Sequence, residues 1–204
     1  MAAILVPFRG AEGKRRLAPA TPEARVALGL AMLADVLAAC AAVDPTTVVT
    51  NDEAGWRVAA ELEVDHLAGG PLGQGAAVGA AIARLDPAGP LLVVNADLPC
   101  LQPDDLRALL EAIPDGGIAL APAADGTTNA LAFADPDLFR PLYGPGSAER
   151  FVAHAGEVGV AVATVDHPNL ADDVDSLADL RRYERRTGPR TQMALAMAGL
   201  APVA

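Results

Sequence analysis

Short runs, mostly apolar or β-branched, alternate along this chain with longer stretches whose apolar positions recur every three to four residues. The short runs predict strands at Ala3 to Pro7, Thr46 to Thr50, Val64 to Leu67, Pro90 to Val94, Ile118 to Ala121, Ala130 to Phe133 and Val158 to Val165. Between them, Thr21-Pro22-Glu23 opens a long helix, with Thr as cap, Pro at the first helical position and an apolar stripe through Leu28, Met32, Val36 and Leu37. Further helices are expected over Glu53 to Leu62, about Ala76 to Leu85, from Pro103 onward and over Ala148 to Ala155. A final helix is expected from Ser176, where Ser176 and Asp179 have capping-box spacing. Asp104 and Asp105 fall in the first turn of the Pro103 helix, where the helix dipole favours acids.

Strands and helices alternating at this spacing predict an α/β fold, a mostly parallel sheet flanked by helices. There is no internal repeat and no linker, so residues 1–204 read as a single domain. Aromatic residues make up 3% of the chain and hydrophobic residues 52%, so Ala, Val and Leu must fill the core. Ligands of such sheets bind outside the carboxyl ends of the strands. That rule selects four loops: Phe8 to Arg16, Gly69 to Gly75, Asn95 to Pro99 and the segment before Ser176.

The formal charge of −11 argues against nucleic acid and anionic membrane as partners. A small anion needs only local positive charge, which Arg9, Lys14, Arg15 and Arg16 concentrate just after the first strand; Lys14 is the chain's one lysine. Cys40 and Cys100 sit in apolar contexts without metal or redox spacing and read as buried free thiols. No signal-peptide pattern and no membrane-length apolar run stand out, so a cytoplasmic location is expected.

Each loop has a plain and a chemical reading. The basic, glycine-spaced loop from Arg9 to Arg16 suits a triphosphate but is no Walker A sequence, so taken alone a solvated loop is slightly the better reading. Gly73, Gly75 and Gly79 match a dinucleotide fingerprint only loosely, leaving a nucleotide-contacting turn. Asp97 ends the most apolar strand, where an ionised carboxylate needs water, hydrogen bonds or a cation. Asp172, Asp173 and Asp175 precede the last helix, where acids also serve as caps. Two acidic groups at the ligand-binding edge of one sheet give Mg²⁺ the oxygen ligands it prefers. His66, His154 and His167 are too dispersed for zinc, and no nucleophile elbow occurs.

Taken in order, the motifs resemble the 2-phospho-L-lactate/phosphoenolpyruvate guanylyltransferases of coenzyme F-420 (deazaflavin) biosynthesis. They are Lys14-Arg15-Arg16-Leu17, Ala31-Met32-Leu33-Ala34-Asp35-Val36-Leu37, Ala96-Asp97-Leu98-Pro99, Thr128-Asn129-Ala130-Leu131, Tyr143-Gly144-Pro145-Gly146-Ser147 with His154, Asp173-Val174-Asp175 and Gly188-Pro189-Arg190-Thr191. The resemblance runs over nearly the whole chain. It implies a Rossmann-like nucleotidyltransferase fold, with Mg²⁺ held by Asp97, Asp173 and Asp175. It also implies an acceptor carboxylate at Thr128, Gly144 and Ser147, and a nucleotide at Arg9, Gly10, Lys14, Gly73 and Gly75. Lys14, Arg16 and Asp97 would act in catalysis.

The implied reaction joins GMP from GTP to a small phosphorylated carboxylic acid. An Ala- and Arg-rich composition fits a high-GC bacterial chain and, within the resemblance, favours phosphoenolpyruvate over 2-phospho-L-lactate. The resemblance also implies hand-over of product to a downstream transferase. A nucleotidyltransferase with another acceptor and a non-catalytic nucleotide-binding subunit are the rival readings, and a homodimer stays open. The chain departs from the family pattern at Gly73-Gln74-Gly75, at the shortened Gly126-Thr127-Thr128-Asn129 and at Ser176-Leu177.

Overall fold

A computed structural model of the chain describes residues 1–10, 17, 20–70 and 73–200. Seven strands form one sheet: β1 (Ala3–Pro7), β2 (Thr46–Val49), β3 (Asp65–Leu67), β4 (Leu91–Val94), β5 (Ile118–Pro122), β6 (Thr128–Phe133) and β7 (Val162–Thr164). Their order is β3-β2-β1-β4-β6-β5-β7. Strand β6 alone runs against its neighbours, pairing antiparallel with β4 and β5, and every other pairing is parallel. The sheet is therefore mostly parallel, as the pattern predicts, with one reversal that the pattern does not reveal. The reversal follows from the short connection after β5, where Ala123 N–H donates to Thr127 O and Gly126 adopts a positive φ of 81°. A link this short can join only antiparallel strands.

Eight helices flank the sheet among the described residues: α1 (Pro22–Ala41), α2 (Glu53–Glu61), α3 (Gln74–Leu85), α4 (Pro103–Glu111), α5 (Ser147–Val158), α6 (Pro168–Ala171), α7 (Leu177–Tyr183) and α8 (Pro189–Met197). Alternation along the strands divides the core into two layers. Ile4, Val6, Val48, Leu92 and Val94 face α1, α2 and α4, packing on Leu33, Val36 and Leu106. Leu5, Val49, Leu91, Val93 and Phe133 face α3 and α5, packing on Val78 and Phe151. Burial on both faces is why β4 reads as an unbroken apolar run. A third cluster joins Leu28 and Met32 of α1 to Leu177, Leu180 and Leu195 of the last two helices.

Several boundaries move. The helix expected to end at Ala155 continues to Val158 and stops at Gly159 in the left-handed region (φ 73°), so the following strand shrinks to three residues. Ser176 does cap a helix through a reciprocal box with Asp179, but that helix is not the last. Helix α8 follows, begun by Pro189 and burying only Thr191 and Leu195, too few positions to leave a periodic signal. Helix α1 is long and apolar enough to meet a length-and-composition test for a membrane span, contrary to the sequence expectation. It lies instead against the sheet and α8, with 56% of the qualifying window buried.

Both thiols are buried. Burial pushes the Cys40 thiol far above its ordinary range and Cys100 up to about 11. Neither thiol is expected to react with a water-soluble disulfide reagent at pH 8 until denaturant is added. Rapid labelling of either in the native protein would contradict this packing.

Candidate active site

Chain order reverses at β1, which has β2 on one side and β4 on the other. Loops after two such strands part there and leave a crevice. A cleft of about 740 Å³ opens at this edge, lined by residues from all four loops that the strand rule selects. Because β6 is antiparallel, its first residues rather than its last reach the same edge. Val94 pairs with Ala130, and Asn95 N–H bonds to Asn129 O, which sets Thr128 and Asn129 beside the end of β4.

Asp97, Asp173 and Asp175 converge. One carboxylate oxygen from each lies within 4.8 Å of the others, and all three side chains are half-buried. The backbone brings them together, since Val174 N–H donates to Asp97 O at 2.9 Å and docks the second acidic segment on the loop after β4. Burial, and secondarily the neighbouring Asp97 charge, raise Asp173 to about 6, while a hydrogen bond from Asn129 opposes the rise. Three crowded carboxylates in partial burial repel one another, and a hard divalent cation relieves that repulsion. The donor set fits Mg²⁺, which takes few protein carboxylates and fills its shell with water and phosphate oxygens. Asp172 turns away and pairs with Arg186 at 2.9 Å.

The opposite part of the cleft is built from hydroxyls and helix ends. Thr128, at the start of β6, and Ser147, the first residue of α5, are fully buried and share a hydrogen bond of 3.0 Å. One hydroxyl donates to the other, so the second O–H is left to serve a ligand. Helix α5 begins behind Gly146 with no side-chain cap, and Gly144 takes a positive φ of 111° in the preceding turn. Helix α3 likewise begins behind Gly73, at φ 92°, without a side-chain cap. The uncapped first turns of two helices thus border one cleft, a setting that favours anions.

Arg9 and Gly10 line the cleft after β1. Gly10 is required there: φ is 108°, and a Cβ would come within 2.8 Å of Asp52 Oδ2. Gly75 also lines the cleft, but a Cβ on it would meet Pro141 at 2.7 Å, so close packing explains its lack of a side chain. Lys14, Arg15 and Arg16 lie outside the described residues. Arg9, Gly10, Gly73, Gly75, Asp97, Thr128, Gly144, Ser147, Asp173 and Asp175 all border the cleft. His154 does not; its Nε2 lies 3.0 Å from Leu138 O, a packing role.

Sequence reasoning passed over Gln74, Asn95, Asn129 and Arg150. Asn129 carried the clearest signal, an amide directly before the apolar run Ala130 to Phe133. Arg150 is one arginine among many in the sequence. In the fold its guanidinium bonds to the carbonyls of Leu142, Tyr143 and Pro145, clamping the turn that carries Gly144. On the expectation that the Gly144 turn meets the acceptor, Arg150→Ala should raise the acceptor KM about tenfold, with the nucleotide KM within twofold, as steady-state kinetics would show. Equal changes in both constants would mean that the turn does not serve the acceptor.

The family model described as "Guanylyl transferase CofC like" matches residues 2–183. The chain belongs to this family. It is 38% identical over 174 residues to a phosphoenolpyruvate guanylyltransferase of Sphaerobacter thermophilus, covering 82% of this chain and 84% of that protein. It is 39% identical over 182 residues to a 2-phospho-L-lactate guanylyltransferase of Halorubrum lacusprofundi, covering 87% of this chain and 81% of the relative. Among solved structures, a protein of Desulfovibrio desulfuricans G20 described as a nucleotide-diphospho-sugar transferase superposes with a TM-score of 0.78. It shares 18% identity over 97% of this chain and 95% of its own, a likeness of fold. The sheet is that of the Rossmann-like nucleotidyltransferases.

Proposed function

We propose that this chain, acting as one domain, is a magnesium-dependent guanylyltransferase that moves GMP from GTP to the phosphate of phosphoenolpyruvate. The observation that carries the reading is one cleft holding three convergent carboxylates at one part and a buried hydroxyl pair beside an uncapped helix at another. Membership in a guanylyl transferase family supplies the nucleotide, and the names of the relatives supply the acceptor. The Halorubrum relative favours 2-phospho-L-lactate as a second reading of the acceptor. By the same resemblance, the product enters coenzyme F-420 biosynthesis.

Asp97, Asp173 and Asp175 would hold Mg²⁺, which supplies charge neutralisation between two polyanionic substrates. The acceptor carboxylate lies against the Thr128 and Ser147 hydroxyls and the Gly144 turn. Arg9 and Gly10 face the triphosphate, Lys14 and Arg16 would act on it by the family resemblance, and Gly73 and Gly75 border the nucleoside. An acceptor phosphate oxygen forms a bond to the α-phosphorus of GTP, and the bond from that phosphorus to the bridging oxygen breaks. Pyrophosphate leaves with the electron pair. The nucleophile is already anionic at neutral pH, so the reaction requires no general base, in keeping with a cleft that holds no histidine among its described lining residues. What the chain contributes is alignment and fixed charge.

The test is pyrophosphate release by the purified protein with Mg²⁺, each of the four nucleoside triphosphates and each acceptor, with and without the downstream transferase. GTP with phosphoenolpyruvate is expected to give the highest kcat/KM. Preference for 2-phospho-L-lactate would select the second reading, and no release with any pair would overturn the enzyme reading.

A further inference from the structure

Three side-chain amides cross the floor of the cleft in a sequence whose orientation the backbone dictates. Asn129 is 1% exposed, in the second position of β6. Its Nδ2 donates to Leu170 O at 3.0 Å and Ala171 O at 3.2 Å, and approaches Asp173 Oδ1 at 3.4 Å. Carbonyl and carboxylate oxygens accept only, so the amide nitrogen must face them. Its Oδ1 is thereby turned toward Asn95, whose Nδ2 lies 3.4 Å away and also donates to Thr128 O at 3.1 Å. Asn95 Oδ1 must then face the other wall, where it accepts from Gln74 Nε2 at 2.8 Å. The relay runs from the end of α6 past an acidic side chain to the first turn of α3.

We propose that Asn129 is a positioning residue for the metal centre: it aims the Asp173 carboxylate into the cleft and fixes the segment after α6 against β6. The inference rests on the metal reading above and adds a residue to it. Asp173 lies on a loop segment, and a carboxylate there has rotational freedom unless something restrains it. Asn129 sits on the central sheet and touches both that carboxylate and the carbonyls just before it, so one side chain acts on loop height and carboxylate direction together, alongside the Val174 to Asp97 backbone bond. Partners of this kind orient ligands without touching the ion, and their loss weakens metal binding about 10- to 100-fold. The remaining amides, Asn95 and Gln74, brace the opposite wall.

The experiment is calorimetric titration of nucleotide-free protein with Mn²⁺, together with the Mg²⁺ dependence of pyrophosphate release. Asn129→Ala and Asn129→Ser are expected to lose about 10- to 100-fold in Mn²⁺ affinity. The Mg²⁺ concentration for half-maximal turnover should rise in parallel. Asn95→Ala is expected to keep Mn²⁺ affinity within about threefold and to raise substrate KM instead. A folded Asn129 variant, with native circular dichroism, that binds Mn²⁺ like the wild type overturns the inference alone. In the wild-type protein, the Asn129 side-chain amide signals should shift on Mg²⁺ addition along the binding isotherm. Signals that stay still while other cleft resonances move overturn the inference whether or not the variants fold. Wild-type protein that binds no divalent ion overturns the metal reading and this inference with it.

Discussion

Replacing Asp97 by Asn is expected to lower GMP transfer on the order of a thousandfold while leaving the fold intact. The substitution keeps the size and shape of the side chain and removes one of the three carboxylates that approach within 4.8 Å. On the proposed metal reading, two carboxylates would then face the ion, and both its affinity and its placement would suffer. Stability moves the other way. Burial raises Asp173 to about 6 from 3.8, and the Asp97 charge adds to the rise. A carboxyl whose folded pKa exceeds its unfolded value favours the fold when protonated. That contribution is complete below about pH 4 and is lost as pH climbs through about 6. Above pH 6 the metal-free wild type therefore carries the full repulsion, and Asp97→Asn relieves part of it.

Three measurements follow from this reasoning. In chelator at pH 8 the variant should melt at or above the wild-type temperature. The difference should narrow below pH 5. Added Mg²⁺ should raise the wild-type midpoint clearly and the variant's little, because only a folded, complete site binds the ion. A variant that turns over at near wild-type rate would make Asp97 a turn residue and remove the centre of the proposed site. Asp175→Asn should behave alike in turnover.

How much of this was legible in the sequence depends on how local the information was. Strand β4 and the start of α1 were plain because an apolar run and a Thr-Pro cap are written within a few residues. The convergence of Asp97 with Asp173 and Asp175 was visible only as a topological expectation, and the Val174 to Asp97 backbone bond is what realises it. The direction of β6 was not legible in the strand itself, since an apolar run buried on both faces looks the same either way. Its consequence is large, because reversal is what brings Thr128 and Asn129, at the beginning of a strand, to an edge formed by strand ends. Gly75 carries a second demand that the sequence does not show: a Cβ there would meet Pro141. Asn129 and Arg150 stayed hidden because their partners lie on other elements or are backbone carbonyls, which no spacing rule records.

Helix α8 was hidden because it buries only Thr191 and Leu195, and its anchoring gives the second large effect. Asp35 sits within α1, 7% exposed, on a helix otherwise packed with Leu, Val and Met. Its Oδ1 accepts from Arg190 N–H at 3.1 Å and its Oδ2 from Thr191 N–H at 2.8 Å. Helix α8 starts behind Gly188 and has no side-chain cap of its own, so a carboxylate from another helix does that work. Glycine is needed at 188 because a Cβ there would lie 2.3 Å from Asp35 Cγ. Asp35→Ala leaves two N–H donors unpaired in a buried seam, withdraws a negative charge from a helix N-terminus and opens a small void. Lost caps and unpaired buried donors cost about 1–3 kcal/mol each, so the variant should lose roughly 2–4 kcal/mol. For a chain of this length that is a fall of about 6–12 °C in melting temperature. Asp35→Asn, which keeps the volume but offers only one accepting oxygen, should fall between. Gly188→Ala should destabilise through the same contact, and the double variant should cost less than the sum because both changes break one junction. The effect reaches the site by a short route: Gly188 N–H bonds to Pro99 O at 2.7 Å, two residues from Asp97. At 15 °C, where Asp35→Ala remains folded, its Mg²⁺ requirement should therefore rise modestly along with its loss of stability. A melting temperature within 2 °C of wild type would show that α8 is held by its apolar contacts and that the buried carboxylate is incidental to it.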